Sequence, residues 1–354
     1  MNRATKSRIA LWDNARFIIM ALVVIGHMLT TVRTDSALAF GLYAYIYLFH
    51  MPAMILLSGY FSKAEVSPNS IRSTLALIVT WVTFEVLWIG YRGLIDGRAF
   101  NDSFLIVPSW TLWFLVTLIT MRILLPFIAR LRHPLIVSLV IALVAGLSPL
   151  IGTGFSASRT LSFLPFFVFG WLARERGWLS GDRFMKPSRK LKAGAWAVLA
   201  GIAAVFVAWP TMRSTFRVDK WLTWRDDYWS MIDLAGAFPA FAGLGMRSLF
   251  ITIAFVMTLA VLVIIPRRTS VITVWGTRTL YLYLLHGFVV YALRHYGVTD
   301  FIGSFGTVGT LILISMGVAL SMLLSMAWVQ RLTKPIIEPN IDWMLAKLPQ
   351  RTAA

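Results

Sequence analysis

The chain contains no cysteine. That excludes an acyl-cysteine intermediate, disulfide bonds and thiolate metal sites. Charge is scarce as well. Charged residues are 14% of 354 and hydrophobic residues 58%, with mean hydropathy +0.75, whereas an ordinary soluble domain is about 25% charged. An ordinary soluble domain is therefore excluded. No basic stripe lies on a soluble segment, although the net charge is +18. Lys and Arg fall in short loops between apolar runs, where they act as topology signals and contacts to anionic membrane lipids, so no nucleic-acid partner is expected. Lys6 and Arg8 precede an apolar run in the manner of a signal peptide, but no A-x-A cleavage pattern follows. The run is expected to stay as an uncleaved first span. No domain boundary, internal repeat or low-complexity tract is visible.

What is present is a series of apolar windows long enough to cross a bilayer. They fall near 15–33, 39–60, 73–91, 110–129, 134–151, 159–173, 194–210, 248–266, 273–293 and 307–330. The Gly-rich stretch 233–247 resists placement. Both termini and the even-numbered turns carry more than twice as many Lys and Arg as the opposite loops. The expectation is an all-α, polytopic integral membrane bundle of about ten transmembrane helices with both termini cytoplasmic. The longest outer segment, 211–232, interleaves Trp with Arg and Asp. It reads either as an interfacial aromatic belt or as a platform for a sugar or glycolipid head group.

Within "WDNARFIIMALVVIGHMLT" (12–30) stand Arg16 and His27. Eleven residues at about 100° each make three turns plus about 20°, so the two share one helix face, roughly 16 Å apart along the axis. Ionisable groups in a span are costly enough to mark function by default. The others are His50, Glu85, Arg122 and His286, with Arg278 near a span end. They are expected to converge on one another or on a wet cavity. Each has a bland reading beside the functional one. His50 and His286 would serve as packing histidines, and Glu85 would pair with Arg122. The histidines and the carboxylate come from four helices without H-x-x-x-H spacing, so no metal is expected. Proton relay and acid–base catalysis both remain open. Pro52, just after His50, frees a backbone carbonyl in the second span, useful beside a polar cavity.

Five segments, in order, carry a resemblance. "RFIIMALVVIGH" resembles the Arg-x10-His signature of the membrane acyltransferase family 3. "FHMPAMILLSGYFSK" (49–63) is similar to that family's second span, and "WTLWFLVTLITMRILLP" (110–126) to its W-F-L span. "LPFFVFGWLARERG" (164–177) resembles its P-F-F-x-x-G segment and "TLYLYLLHGFVV" (279–290) its Y-x-Y-L-x-H span. The "WDNARF" and "FHMP" forms look most like the fucose 4-O-acetylase branch. The resemblance covers about residues 8–335, giving a transmembrane acyltransferase domain over 1–335 and a short cytoplasmic tail over 336–354.

The resemblance implies transfer of an acetyl group from cytosolic acetyl-CoA to a hydroxyl of a cell-envelope carbohydrate or glycolipid, in the inner (plasma) membrane. The acceptors it leaves open are a trehalose mycolate ester, a lipid-linked glycan and a free sugar. His27 would be the catalytic histidine and Arg16 the arginine of its signature, with Glu85 or Asp13 orienting the imidazole. His27 would act as a base or carry the acetyl briefly. Asp13, Asn14, His50, Trp113 and His286 are the candidate acceptor or cavity residues. Many members carry an Arg-x-x-Arg pair after the second span for the coenzyme phosphates. "SKAEVSPNSIRS" departs from it, and Lys63, Arg72, Arg122, Arg130 and Arg132 are the cations available instead. The rival is a proton-coupled transporter or flippase of a sugar or lipid-linked sugar. Inverted repeats and paired broken helices, which that class favours, are not seen.

Overall fold

The computed structural model describes residues 9–97, 103–209, 218–232 and 238–346. Each expected span finds a helix: α1 Ala10–Met28, α2 Ala37–Phe61, α3 Pro68–Asp96, α4 Trp113–Ile128 and α5 Pro134–Val144. They continue as α6 Ala157–Glu175, α7 Arg189–Ala208, α8 Phe238–Ile264, α9 Thr279–His295 and α10 Gly306–Leu324. No strand occurs among the described residues. Seven of these helices are long and apolar enough to cross a membrane. The other three, α5, α6 and α9, are shorter or more polar and complete the bundle.

Local chemistry sets the helix ends. Ser36 accepts the amide of Ala39 at the start of α2, and Ser188 accepts that of Leu191 at the start of α7. Ser67 and Ser70 form a reciprocal capping box with Pro68 in the first turn of α3, where a missing N–H costs nothing. Helix α1 is central, with 72% of its apolar window buried, against 22% for α3 and 17% for α7, which present most of their surface outward. Around α1 pack α2, α9, α10 and the short helix Val271–Gly276.

The most extensive crossing is α2 on α6. A Cβ at Gly59 would run into the carbonyl of Phe167, and one at Gly170 into the carbonyl of Leu56. Small residues that let backbones meet are the usual device where no water drives helices together. The "SGYF" and "FFVFG" segments are therefore two halves of one contact.

Three boundaries differ from the sequence reading. Helix α1 begins at Ala10 and ends at Met28, five residues earlier than expected, so His27 lies in its last turn rather than mid-span. The ninth window splits into Val271–Gly276 and α9. The tenth ends at Leu324, and a further amphipathic helix, α11 Ala327–Ile337, turns along the bundle, burying Val329 and Ile337 while Leu332 stays exposed. Helix α11 runs through residue 335, and its Ile337 carbonyl accepts from Thr80 Oγ1 on α3 (3.2 Å). Of the Gly-rich stretch, 238–247 belongs to α8, and 233–237 lies outside the described residues. The part of the outer loop at 211–217 lies outside them too. The end of the bundle where α1 begins, expected to be cytoplasmic, is termed the inner end.

Candidate active site

Four elements meet at His27. Helix α1 carries it, α2 brings Tyr47 and His50, the turn before α4 brings Trp110, and α9 brings His286. The His27 ring lies 5.4 Å from His286, 5.1 Å from Trp110 and 6.2 Å from Tyr47, centroid to centroid. His50 packs on Tyr47 at 4.8 Å.

Hydrogen bonds to carbonyls fix the proton on two of the three histidine rings, and a hydroxyl chain orients the third. Nδ1 of His50 lies 2.8 Å from the Ile46 carbonyl, and Nδ1 of His286 lies 2.7 Å and 3.1 Å from the carbonyls of Tyr283 and Leu282. A carbonyl only accepts, so both Nδ1 atoms donate and both Nε2 atoms are left as acceptors. His27 Nδ1 lies 3.3 Å from the Tyr47 hydroxyl, which lies 3.4 Å from Thr30 Oγ1. Thr30 spends its proton on the Gly26 carbonyl at 3.0 Å. With the Tyr47 hydroxyl donating to Thr30, the chain runs from His27 Nδ1–H to Tyr47, to Thr30, to Gly26. It leaves Nε2 of His27 with its lone pair, the state a general base requires.

The carboxylates expected to orient His27 are elsewhere. Asp13 sits about 21 Å down the axis of α1 and accepts from Arg16 Nη1 at 3.2 Å. Glu85 is buried and accepts the Ser109 amide at 2.9 and 3.2 Å and Trp81 Nε1 at 3.0 Å. It clamps the turn that delivers Trp110, whose backbone φ of 21° is rarely adopted by a non-glycine residue. Glu85 thus acts on His27 through Trp110, and its expected pairing with Arg122 is not made. Asn14 is also no cavity residue. Its Nδ2 donates to the carbonyls of Pro266 and Arg268 (2.9 and 3.1 Å) and its Oδ1 accepts from Thr273 (2.6 Å). It pins the 266–273 loop to α1.

Three cavities lie in series. The outer one, about 360 Å³, holds His27, His50, His286, Trp110, Trp113 and Tyr47, with four arginines at its rim and walls. The middle one, about 160 Å³, is lined by Arg16, Arg122, Ser58, Phe61, Met54, Phe114 and Tyr283 among others. It shares Met54, Phe114 and Tyr283 with the outer cavity. The inner one, about 520 Å³, is lined by Lys63, Arg122, Phe61 and the hydroxyl-rich start of α3. It shares Phe61 and Arg122 with the middle cavity. Arg16 also lies over the Phe61 ring, 4.1 Å from its centroid. So Arg16 and His27 share a helix face, as expected, but serve different cavities.

Of the cations proposed for a coenzyme, Lys63 and Arg122 line this route. Arg72 instead pairs with Asp342 at 2.8 Å, both more than half exposed. Arg130 and Arg132 are exposed and line none of the three cavities. Arg278 ties α9 to the end of α10 and to α11 through Ser325 O and Gln330 (both 2.9 Å).

Over its described part the Trp-rich outer segment is largely packed inward, with Trp229 exposed. Trp221, Trp224 and Tyr228 are buried with Arg247, whose guanidinium lies 5.5–6.0 Å from their ring centroids. Arg247 also donates to Ser162 and to the Asp226 carbonyl. The segment is thereby folded over the bundle, and its Leu222, Thr223 and Arg225 roof the outer cavity.

Residues that the sequence reading passed over are Tyr47, Trp110, Arg33, Arg159 and Arg294. Tyr47 was legible only as one turn before His50 in "YIYLFH", and the three arginines read as outer loop charges. Among the described residues no group of three or more His, Cys, Asp or Glu is arranged to hold a metal ion.

No curated protein and no solved structure matches the chain. The acyltransferase-3 family, described as an acyltransferase domain, matches residues 9–327, nearly the whole chain. With its family-typical segments meeting at the α2–α6 crossing and around His27, the chain belongs to the acyltransferase-3 family of multi-pass membrane proteins.

Proposed function

We propose that the protein moves an acetyl group from acetyl-CoA to a hydroxyl of a cell-envelope carbohydrate or glycolipid, in the inner (plasma) membrane. The observation that carries this reading is the series of three cavities leading from Lys63 and Arg122, past Arg16, to His27. Acetyl-CoA bears several phosphate charges at one end and a thin, neutral arm at the other. Its phosphates suit the inner cavity, where cations can make charge-assisted contacts. Only the arm suits the middle cavity, whose size favours a short acyl group.

The chemistry then runs at the shared wall of the middle and outer cavities. The acceptor hydroxyl, held in the outer cavity, gives its proton to His27 Nε2 as its oxygen attacks the thioester carbon. The carbon–sulfur bond breaks, and the coenzyme leaves as a thiol that takes the proton back from His27. Tyr47 keeps Nδ1–H oriented throughout. Trp110 and Trp113 line the acceptor cavity, each with a guanidinium over its ring. The acceptors this reading leaves open are a lipid-linked glycan, a trehalose mycolate ester and a free sugar.

The test is thiol release from acetyl-CoA by the protein in nanodiscs with a panel of envelope lipids and sugars, joined to lipid mass spectrometry of a deletion strain. Acceptor-dependent release, and loss of one acetylated species from the strain, are expected. Sugar or lipid flux across proteoliposomes with no acetyl-CoA consumed would instead identify a transporter.

A further inference from the structure

The walls of the outer cavity are unbalanced in charge. Arg33, Arg159, Arg225 and Arg294 line it, and among the described residues no carboxylate does. Arg225 is exposed and paired with Asp226 at 2.8 Å. The other three make no carboxylate ion pair among the described residues. Asp226 acts on Arg159, and Asp300 on Arg294, only beyond ion-pair distance.

How these three are held is informative. Arg159 lies over Trp113, 4.7 Å from the ring centroid, Arg294 over Trp110 at 5.2 Å, and Arg33 beside Tyr43 at 5.5 Å. Arg159 Nε donates to the Thr223 carbonyl at 3.2 Å, and Arg33 donates to the Thr30 carbonyl. An aromatic ring holds each guanidinium, and a backbone carbonyl also holds Arg33 and Arg159, without neutralising the charge. Three partly buried, fixed and unneutralised cations around one cavity are costly unless an anion joins them. Guanidinium forks suit the oxygens of phosphate and carboxylate.

We propose that the acceptor carries an oxyanion, a phosphate or a carboxylate, that Arg33, Arg159 and Arg294 seat in the outer cavity beside His27. This rests on the acyltransferase reading, in which that cavity takes the acceptor. It divides the acceptors left open: a sugar linked through phosphate, or an acidic sugar, is favoured over a neutral glycolipid.

The test is binding, read without turnover. Wild-type protein in nanodiscs, with CoA in excess to fill the coenzyme site, is titrated calorimetrically with glucose, glucose 6-phosphate and glucuronate. At least one charged sugar is expected to bind at least about tenfold more tightly than glucose, with the advantage shrinking as salt rises. Tighter glucose 6-phosphate alone identifies a phosphate, and tighter glucuronate alone a carboxylate. Arg159→Gln and Arg294→Gln, checked for unchanged CoA binding, are each expected to lose most of that advantage. If one variant does not fold, the other and the wild-type salt dependence carry the test. Equal binding of all three sugars to wild type overturns the proposal, as does an undiminished advantage in both variants. Acetyl-CoA is then added to the same samples. Charged-sugar binding without acetyl transfer to any sugar or envelope lipid would leave the anion site standing and remove the acyltransferase reading.

Discussion

At the scale of residues, the centre of the site is an imidazole held by a phenol. Tyr47 occupies the position that a carboxylate holds in many catalytic histidine pairs, and a neutral partner orients His27 without stabilising its protonated form by charge. His27→Ala is expected to lower acetyl transfer at least about 100-fold, since a positioned base contributes that much or more. Tyr47→Phe should lower kcat by a smaller factor and leave the acetyl-CoA KM unchanged, because the phenol lines neither the inner nor the middle cavity. Steady-state kinetics on both variants, with CoA binding as the folding control, checks this. A Tyr47→Phe enzyme with wild-type kcat would reduce the chain through Thr30 to packing. His27 and Arg16 were legible because buried ionisable groups in a span are rare. Tyr47 was not, because a tyrosine among aromatic residues gives no such signal. Glu85 was legible as a buried carboxylate, but its partner is a backbone amide at Ser109, which has no signature in sequence.

At the scale of elements, apolar windows, which depend on local composition, sufficed to place ten helices, seven of them long and apolar enough to cross a membrane. They did not locate the ends of α1 or the turn into α11, which are decided by what the neighbouring helices cover. The α2–α6 crossing shows the difference. Its two glycines lie 111 positions apart in the chain, and only the packed bundle reveals that each faces the other's backbone. Gly170→Ala should destabilise the protein, since a methyl group there meets a carbonyl that cannot rotate away; overpacking of this kind costs about 1–3 kcal/mol. Gly201→Ala on α7, where a Cβ meets nothing within 4 Å, should be neutral or slightly stabilising. Melting temperatures in detergent compare the two directly. Equal melting points would mean that the crossing is looser than its geometry.

At the scale of the whole molecule, the bundle divides its cations between two ends, Lys63 and Arg122 toward the inner cavity and Arg33, Arg159 and Arg294 toward the outer one. Double substitution of Lys63→Ala with Arg122→Gln is expected to raise the acetyl-CoA KM several-fold, more at low salt, because partly exposed contacts to phosphate are screened. Arg72→Ala should change it little, since that side chain is turned to Asp342. Initial rates across an acetyl-CoA series at two salt concentrations decide the matter. A KM moved by Arg72 and not by the pair would relocate the coenzyme phosphates.

Met54, Phe114 and Tyr283 form the wall common to the middle and outer cavities, and in an energised membrane that wall is also an insulator. Recesses that admit water from both faces would shorten the distance over which the transmembrane voltage falls and concentrate the field across these three side chains. A hole there would admit protons and dissipate the gradient on which the cell depends. Tyr283 is anchored by its hydroxyl to the Thr111 carbonyl at 2.6 Å, which leaves the unbranched Met54 as the side chain best able to yield to a passing acyl arm. Met54→Gly should therefore make proteoliposomes leaky to protons, read as faster decay of an imposed pH gradient, while wild-type vesicles hold theirs. If the Gly variant is as tight as wild type, the seal lies elsewhere along the path.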